Sequence, residues 1–224
     1  MNLIQRRIAL DGGDSVSAVL AYPEVPVPGP AVIVAHGAGN DMHSPFVSAV
    51  HEGLARRGYT ALKFNFPYKE HARRAPDRPA VLEMCYRRVL RSIRAEPFAA
   101  SGVVIGGKSL GGRIASHIAA AGENVAGLIL LGYPLHPPRR TDQLRVAHLG
   151  NIHVPTLFFC GTRDPLCDLS LLKQECRRVA APVTLHVIEG GDHSFNLPKS
   201  MHRSPAQVWA EIVELSAQWL ERLR

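Results

Sequence analysis

The stretch Gly106-Gly107-Lys108-Ser109-Leu110-Gly111-Gly112 lies between an apolar run, GVVIGG (102–107), and an alanine-rich segment, RIASHIAAA (113–121). It contains G-x-S-x-G centred on Ser109. A serine on a very tight strand-to-helix turn needs minimal neighbours two residues before and after it, because side chains there would collide across the bend. Gly107 and Gly111 meet that need. Such a turn pushes the hydroxyl out at the C-terminal edge of a sheet, over the positive end of the next helix. It also leaves the Leu110 N–H free to face a developing oxyanion.

The same residues also spell G-x-x-x-x-G-K-S (102–109), the pattern of a phosphate-binding loop. In such a loop the strand precedes the first glycine and the four intervening residues wrap the phosphates. Here those four are Val103, Val104, Ile105 and Gly106, which read as strand interior, and the preceding AEPFAAS is a poor central strand. No later apolar strand ends in the carboxylate that would hold magnesium. A strand followed by a nucleophile turn is the better reading.

Outward from this point, short apolar runs alternate with amphipathic segments, the pattern of a mostly parallel sheet covered on both faces. Residues 3–10 and 16–22 read as two strands joined at Asp11-Gly12-Gly13-Asp14, a hairpin signal. Six further strands are predicted at 31–37, 60–66, 102–107, 126–132, 155–161 and 183–190. The intervening helices are predicted at about 46–57, 80–95, 110–121, 142–149, 170–180 and 205–222. Asp77 with Pro79, and Ser204 with Pro205, mark two helix starts, and Gly58 marks a helix end. The expectation is a single α/β domain over residues 1–224.

A serine hydroxyl needs a base within hydrogen-bond reach and an acid to orient that base. Of eleven histidines, His193 in GGDHSF directly follows the last predicted strand. Asp164 in GTRDPLCD holds the matching place after the strand before it, with Asp168 as the alternative acid. The chain order Ser109, Asp164, His193 is the nucleophile–acid–histidine order of one known arrangement. After the first parallel strand stands His36-Gly37-Ala38-Gly39-Asn40, placed to give a second oxyanion donor, Ala38 N–H first and Gly39 N–H next.

Other candidates read more plainly. Asp192 is expected to shape its loop, His36 to make structural hydrogen bonds, and Cys160 to pack in the core. Lys108 is expected to be a solvated or sheet-covering side chain. His148 and His153 miss the spacing and third ligand of a metal site, so no metal and no cofactor are expected.

The chain resembles the α/β-hydrolases along essentially its whole length. It is similar to small, lid-poor members such as the dienelactone-hydrolase group. The phrases HGAGNDM, GGKSLGGR, GYPLHPP, GTRDPLCD and GGDHSF resemble more closely a group of predicted hydrolases related to a subunit of a histone-acetyltransferase (non-specific-lethal) complex. The resemblance implies a twisted, mostly parallel sheet of about eight strands with no cap domain. It also implies Ser109 as nucleophile, Asp164 as acid, His193 as base, and Leu110 and Ala38 as oxyanion donors. Dienelactone hydrolases are expected to use a cysteine nucleophile. Ser109 departs from that, so their lactone substrate does not carry over.

The implied activity is hydrolysis of a small carboxylic ester or thioester through an acyl-enzyme. The rival is a catalytically silent interaction module of the same fold, but the chain keeps all three triad residues. The segment 133–154 is too short for a folded cap. The loops 68–78 and 133–145 are expected to rim an open site with Lys69, Arg73, Arg74, Arg78, Arg139, Arg140 and Arg145 against Glu70, Asp77 and Asp142. That excess favours an anionic small-molecule acyl substrate.

Composition fits a globular protein: 224 residues, 46% hydrophobic and 20% charged. The 26 cations are scattered, twelve of them in six arginine pairs, with only 14 Phe, Tyr and Trp residues to stack bases, so no specific nucleic-acid partner is expected. No membrane span or secretory leader is read. Four cysteines without a C-x-x-C pair suit reduced thiols and a cytoplasmic location.

Overall fold

The computed structural model describes residues 1–223. Eight strands form one sheet among them: β1 (Asn2–Ala9), β2 (Ser15–Tyr22), β3 (Ala31–Ala35), β4 (Ala61–Phe64), β5 (Val103–Lys108), β6 (Gly127–Leu131), β7 (Thr156–Gly161) and β8 (Val183–Ile188). The spatial order is β1-β2-β4-β3-β5-β6-β7-β8. β1 pairs antiparallel with β2, and β2 with β4. From β4 through β3 to β8 every pairing is parallel. All eight expected strands are present, with bounds within two residues of those expected, and the GVVIGG run forms the buried central strand Val103–Lys108, which removes the phosphate-loop reading.

The helices are α1 (Pro45–Arg56), α2 (Pro67–Glu70), α3 (Pro79–Arg94), α4 (Leu110–Ala120), α5 (Leu169–Glu175) and α6 (Pro205–Leu220). β3 and β5 to β7 are buried at every position, which explains why they read as continuous apolar runs rather than alternating ones. Ile33, Ile105, Leu128 and Phe158 face α3, α4 and α5, where Val89, Ile118 and Leu172 complete one core. Val34, Val104 and Phe159 face α1 and α6, where Val50 and Ile212 complete the other.

Local signals account for the helix ends. Ser204 and Gln207 form a reciprocal capping box at α6, a contact worth about 1 kcal/mol. Gly58, with φ 93°, ends α1 as expected. Asp77 does not cap α3; it pairs with Arg73 at 2.7 Å, and Pro79 alone marks the start.

The helix expected at 142–149 is absent. Arg145 N–H donates to the Leu135 carbonyl at 2.8 Å, and the Arg145 carbonyl accepts from the Tyr133 hydroxyl at 2.8 Å. Both backbone groups are therefore taken by the preceding loop, and only a short 3₁₀ turn, Leu149–Asn151, follows. Conversely, the loop after Phe66 contains the short helix α2, started by Pro67. No helix among the described residues is long and apolar enough to cross a membrane.

Candidate active site

The central strand β5 delivers Ser109. A Cβ at Gly107 would overlap the Ala35 carbonyl oxygen, and one at Gly111 would lie 2.6 Å from that same atom. The bare backbones of both glycines let the turn close against β3. Ser109 itself sits at φ 50°, ψ −111°, a conformation few non-glycine residues adopt, and its N–H is held by the Leu131 carbonyl at 3.0 Å. Tyr86 braces the strand just before the turn: its hydroxyl donates to the Gly106 carbonyl at 2.7 Å and accepts from the Gly106 N–H at 2.9 Å.

The loops after β7 and β8 bring the other two groups. His193 Nε2 lies 2.9 Å from Ser109 Oγ, and His193 Nδ1 lies 2.8 Å from Asp164 Oδ2. A carboxylate can only accept here, so Nδ1 carries the proton and Nε2 is left as acceptor for the serine hydroxyl. The Asp164 side chain is fully buried, whereas that of His193 is 22% exposed. Asp164 Oδ1 also accepts the Leu166 N–H at 2.8 Å, which fixes the carboxylate plane.

The alternative acid has another task. Asp168 caps α5, accepting the Ser170 and Leu171 N–H groups, both at 2.9 Å. Asp192 accepts the Ser194 and Asn196 N–H groups and so shapes the loop that carries His193.

The 36–40 loop packs against the turn; a Cβ on Gly37 would lie 3.6 Å from the Ser109 Cβ. His36 is buried and neutral, burial holding its pKa down at about 4. Its Nδ1–H donates to the Gly37 carbonyl at 2.8 Å while Nε2 accepts the Phe66 N–H at 3.1 Å. Tyr68, from α2, donates to the Ala38 carbonyl at 2.9 Å and lies 3.4 Å from that of Gly37. In a trans peptide the C=O and the next N–H point in opposite directions, so anchoring the Gly37 carbonyl turns the Ala38 N–H away from His36 and Tyr68. Neither the Ala38 N–H nor the Leu110 N–H has an acceptor among the described residues. Leu110 is the first residue of α4, where no intrahelical acceptor exists.

Two expectations about cations change. Lys108 is neither solvated nor paired: it is 8% exposed, and its Nζ has no hydrogen-bond partner among the described residues. The ammonium sits 5.7 Å from the Phe195 ring centroid, and burial lowers its pKa to about 8 against the opposing pull of Asp164 and Asp192. The 133–145 rim is only partly a surface. Tyr133 to His136 are buried, and Arg145 lines a different cleft beside α4. Arg73 and Arg140 are paired with Asp77 and Asp142, while Arg74, Arg78 and Arg139 are exposed and Lys69 is half-buried over the Tyr68 ring.

Sequence reasoning missed the roles of Tyr68 and Tyr86. Tyr68 and Tyr86 act through hydroxyl-to-backbone bonds, for which a sequence offers no spacing rule. A tyrosine opening a loop at a strand's C-terminal end was the available signal for Tyr68.

A parallel sheet with a Ser–His–Asp chain at its C-terminal edge defines an α/β-hydrolase. The chain matches the alpha/beta hydrolase domain family over residues 28–221 and belongs to it. A serine hydrolase homologue from Coxiella burnetii has a similar structure, with a TM-score of 0.77, 20% identity and 98% of each chain covered. A dienelactone hydrolase from Anabaena variabilis superposes with a TM-score of 0.78 at 19% identity, covering 99% of this chain and 97% of that one. The esterase domain of a Rhodothermus marinus protein gives 0.75 at 17% identity, with 99% of each chain covered. These likenesses support the fold at full length without a separate cap domain, and family membership supports hydrolase activity.

Proposed function

We propose that the protein is a serine hydrolase that cleaves a small carboxylic ester or thioester. The observation that carries this reading is the unbroken hydrogen-bonded chain from Ser109 Oγ through the His193 ring to Asp164. His193 Nε2 takes the proton as Ser109 Oγ attacks the acyl carbon. The resulting oxyanion is received by the N–H groups of Leu110 and Ala38. His193 then protonates the leaving alcohol or thiol, and the acyl group remains on Ser109. A water deprotonated by His193 attacks that acyl-enzyme, and collapse of the second tetrahedral intermediate returns the serine. Asp164 holds the tautomer and balances the imidazolium that forms twice in the cycle.

Esterase and dienelactone hydrolase activities belong to the neighbours named above; what they lend this chain is a reaction class. The exposed Arg74, Arg78 and Arg139, with Lys69, favour acyl substrates bearing a carboxylate or phosphate. A fluorophosphonate probe is expected to label Ser109, and a panel of acyl esters differing in length and charge to show turnover that Ser109→Ala abolishes. A folded protein that neither labels nor turns over any ester would leave the silent interaction module as the reading. Equal rates for neutral and anionic esters at low salt would remove the charge preference alone.

A further inference from the structure

A second cleft, lined by none of Ser109, Asp164 and His193, runs along α4 and encloses about 540 Å³. Arg113 and His117 enter it from α4, Arg145 and His148 from the irregular segment where a helix was expected, and Glu83 from α3. The Arg113 guanidinium makes no hydrogen bond and no ion pair among the described residues, and its Nε is sealed from solvent without a partner. The Arg145 guanidinium donates only to the Pro134 carbonyl, at 3.2 Å. Burial and then the neighbouring Arg113 charge hold the Arg145 guanidinium below its ordinary pKa.

Neither of these two cations is ion-paired among the described residues, although the lining holds one carboxylate. Glu83 is engaged by His117 at 3.0 Å and by Arg87 at 3.5 Å. His148 is neutral, its pKa lowered to about 4 by burial, with Nε2 2.8 Å from Ser116 Oγ. Its ring meets that of His117 edge-on, with centroids 4.4 Å apart. Two half-buried guanidiniums without a carboxylate partner are costly on their own and are relieved by a bound anion. A monocarboxylate would leave one positive charge over. A phosphoryl dianion matches both, and its oxygens can accept from forks that arrive from two separate elements.

We propose that this cleft binds a small organic phosphate. The phosphoryl group is held between Arg113 and Arg145, and the organic body lies along the His117–His148 ring pair and the apolar side chains of Leu144 and Val146. The volume falls within the range of roughly 300 to 1,000 Å³ typical of small-molecule pockets and exceeds what a bare ion fills. The site stands apart from the hydrolytic reading and survives its failure.

Calorimetric titration with phenyl phosphate tests it. Saturable binding below about 1 mM is expected. The affinity is expected to weaken at least about tenfold in Arg113→Gln and, read independently, in Arg145→Gln, and benzoate is expected to bind at least about tenfold more weakly than phenyl phosphate. On the unaltered protein, the imidazole resonances of His117 and His148 should shift on addition of phenyl phosphate, a readout that depends on no variant. Absence of saturable binding, full affinity in either arginine variant, equal binding of benzoate, or unmoved imidazole resonances would each overturn the proposal.

Discussion

Tyr68 and Ala38 are thirty residues apart in sequence, yet the tyrosine hydroxyl is 2.9 Å from the alanine carbonyl oxygen. That bond and the His36–Gly37 contact hold the loop whose Ala38 N–H is the proposed second oxyanion donor. Tyr68→Phe keeps the buried ring and deletes the bond. On the proposed mechanism kcat should fall by about one to two powers of ten with KM little changed, since an oxyanion donor acts chiefly in the transition state. Steady-state kinetics on an activated ester checks this; a change confined to KM would contradict it.

The two aspartates after β7 should separate cleanly. Asp164→Asn leaves the shape of the site but removes the preference for Nδ1–H, and kcat should drop by about four powers of ten. Asp168→Ala should leave kcat within about twofold and lower unfolding free energy by about 1 kcal/mol, the ordinary cost of a lost helix cap. Parallel turnover and urea-melting measurements distinguish them.

Ser109→Ala should abolish fluorophosphonate labelling and cost several powers of ten in turnover. Replacing a residue strained at φ 50° with alanine relieves no strain and removes little packing, so the melting temperature should stay close to the parent's.

Acid should unfold the protein through its buried histidines. His36 and His51 are held at a pKa of about 4 by burial, below the unfolded value of 6.5. The unfolded chain therefore binds more protons between those values, and stability falls as pH drops from about 6.5 towards 4. Each ring contributes at most about 3 kcal/mol to that loss. His51→Asn should flatten the acid limb of a stability-versus-pH curve; an unchanged limb would show that His51 is not buried neutral.

Lys108 acts on the alkaline side of the curve with the same sign. Its folded pKa of about 8 lies below the unfolded value of 10.5, so the penalty for burying its ammonium is full below pH 8 and is relieved as pH rises from 8 to 10.5. Lys108→Met should raise stability at pH 7 and remove the rise contributed by this group above pH 8. Denaturant melts at pH 7 and pH 9.5 provide the comparison.

The parts of this architecture that were legible in the sequence are those governed by local rules. β3, β5, β6 and β7 were apolar runs buried at every position, and the G-x-S-x-G spacing located the turn because only glycine tolerates the approach to Ala35. Ser109, Asp164 and His193 were readable because each follows a different strand. The missed features depend on contacts between distant segments. The 142–149 stretch has helix-compatible residues, but Leu135 and Tyr133 capture the backbone of Arg145. Lys108 has a side chain that ordinarily reaches water, but Phe195, Gly132 and Gly37 pack around it, contacts that no local pattern announces. The pairing of Arg113 with Arg145 arises from the same misread segment.

β8 bonds to β7 alone and is half-exposed along most of its length, while the loop just beyond it carries His193. The proposed base is thus suspended from an edge of the sheet, and the proposed nucleophile from its middle. Mild denaturant or modest warming that frays this border should disarm the protein while its helices still give a full circular-dichroism signal.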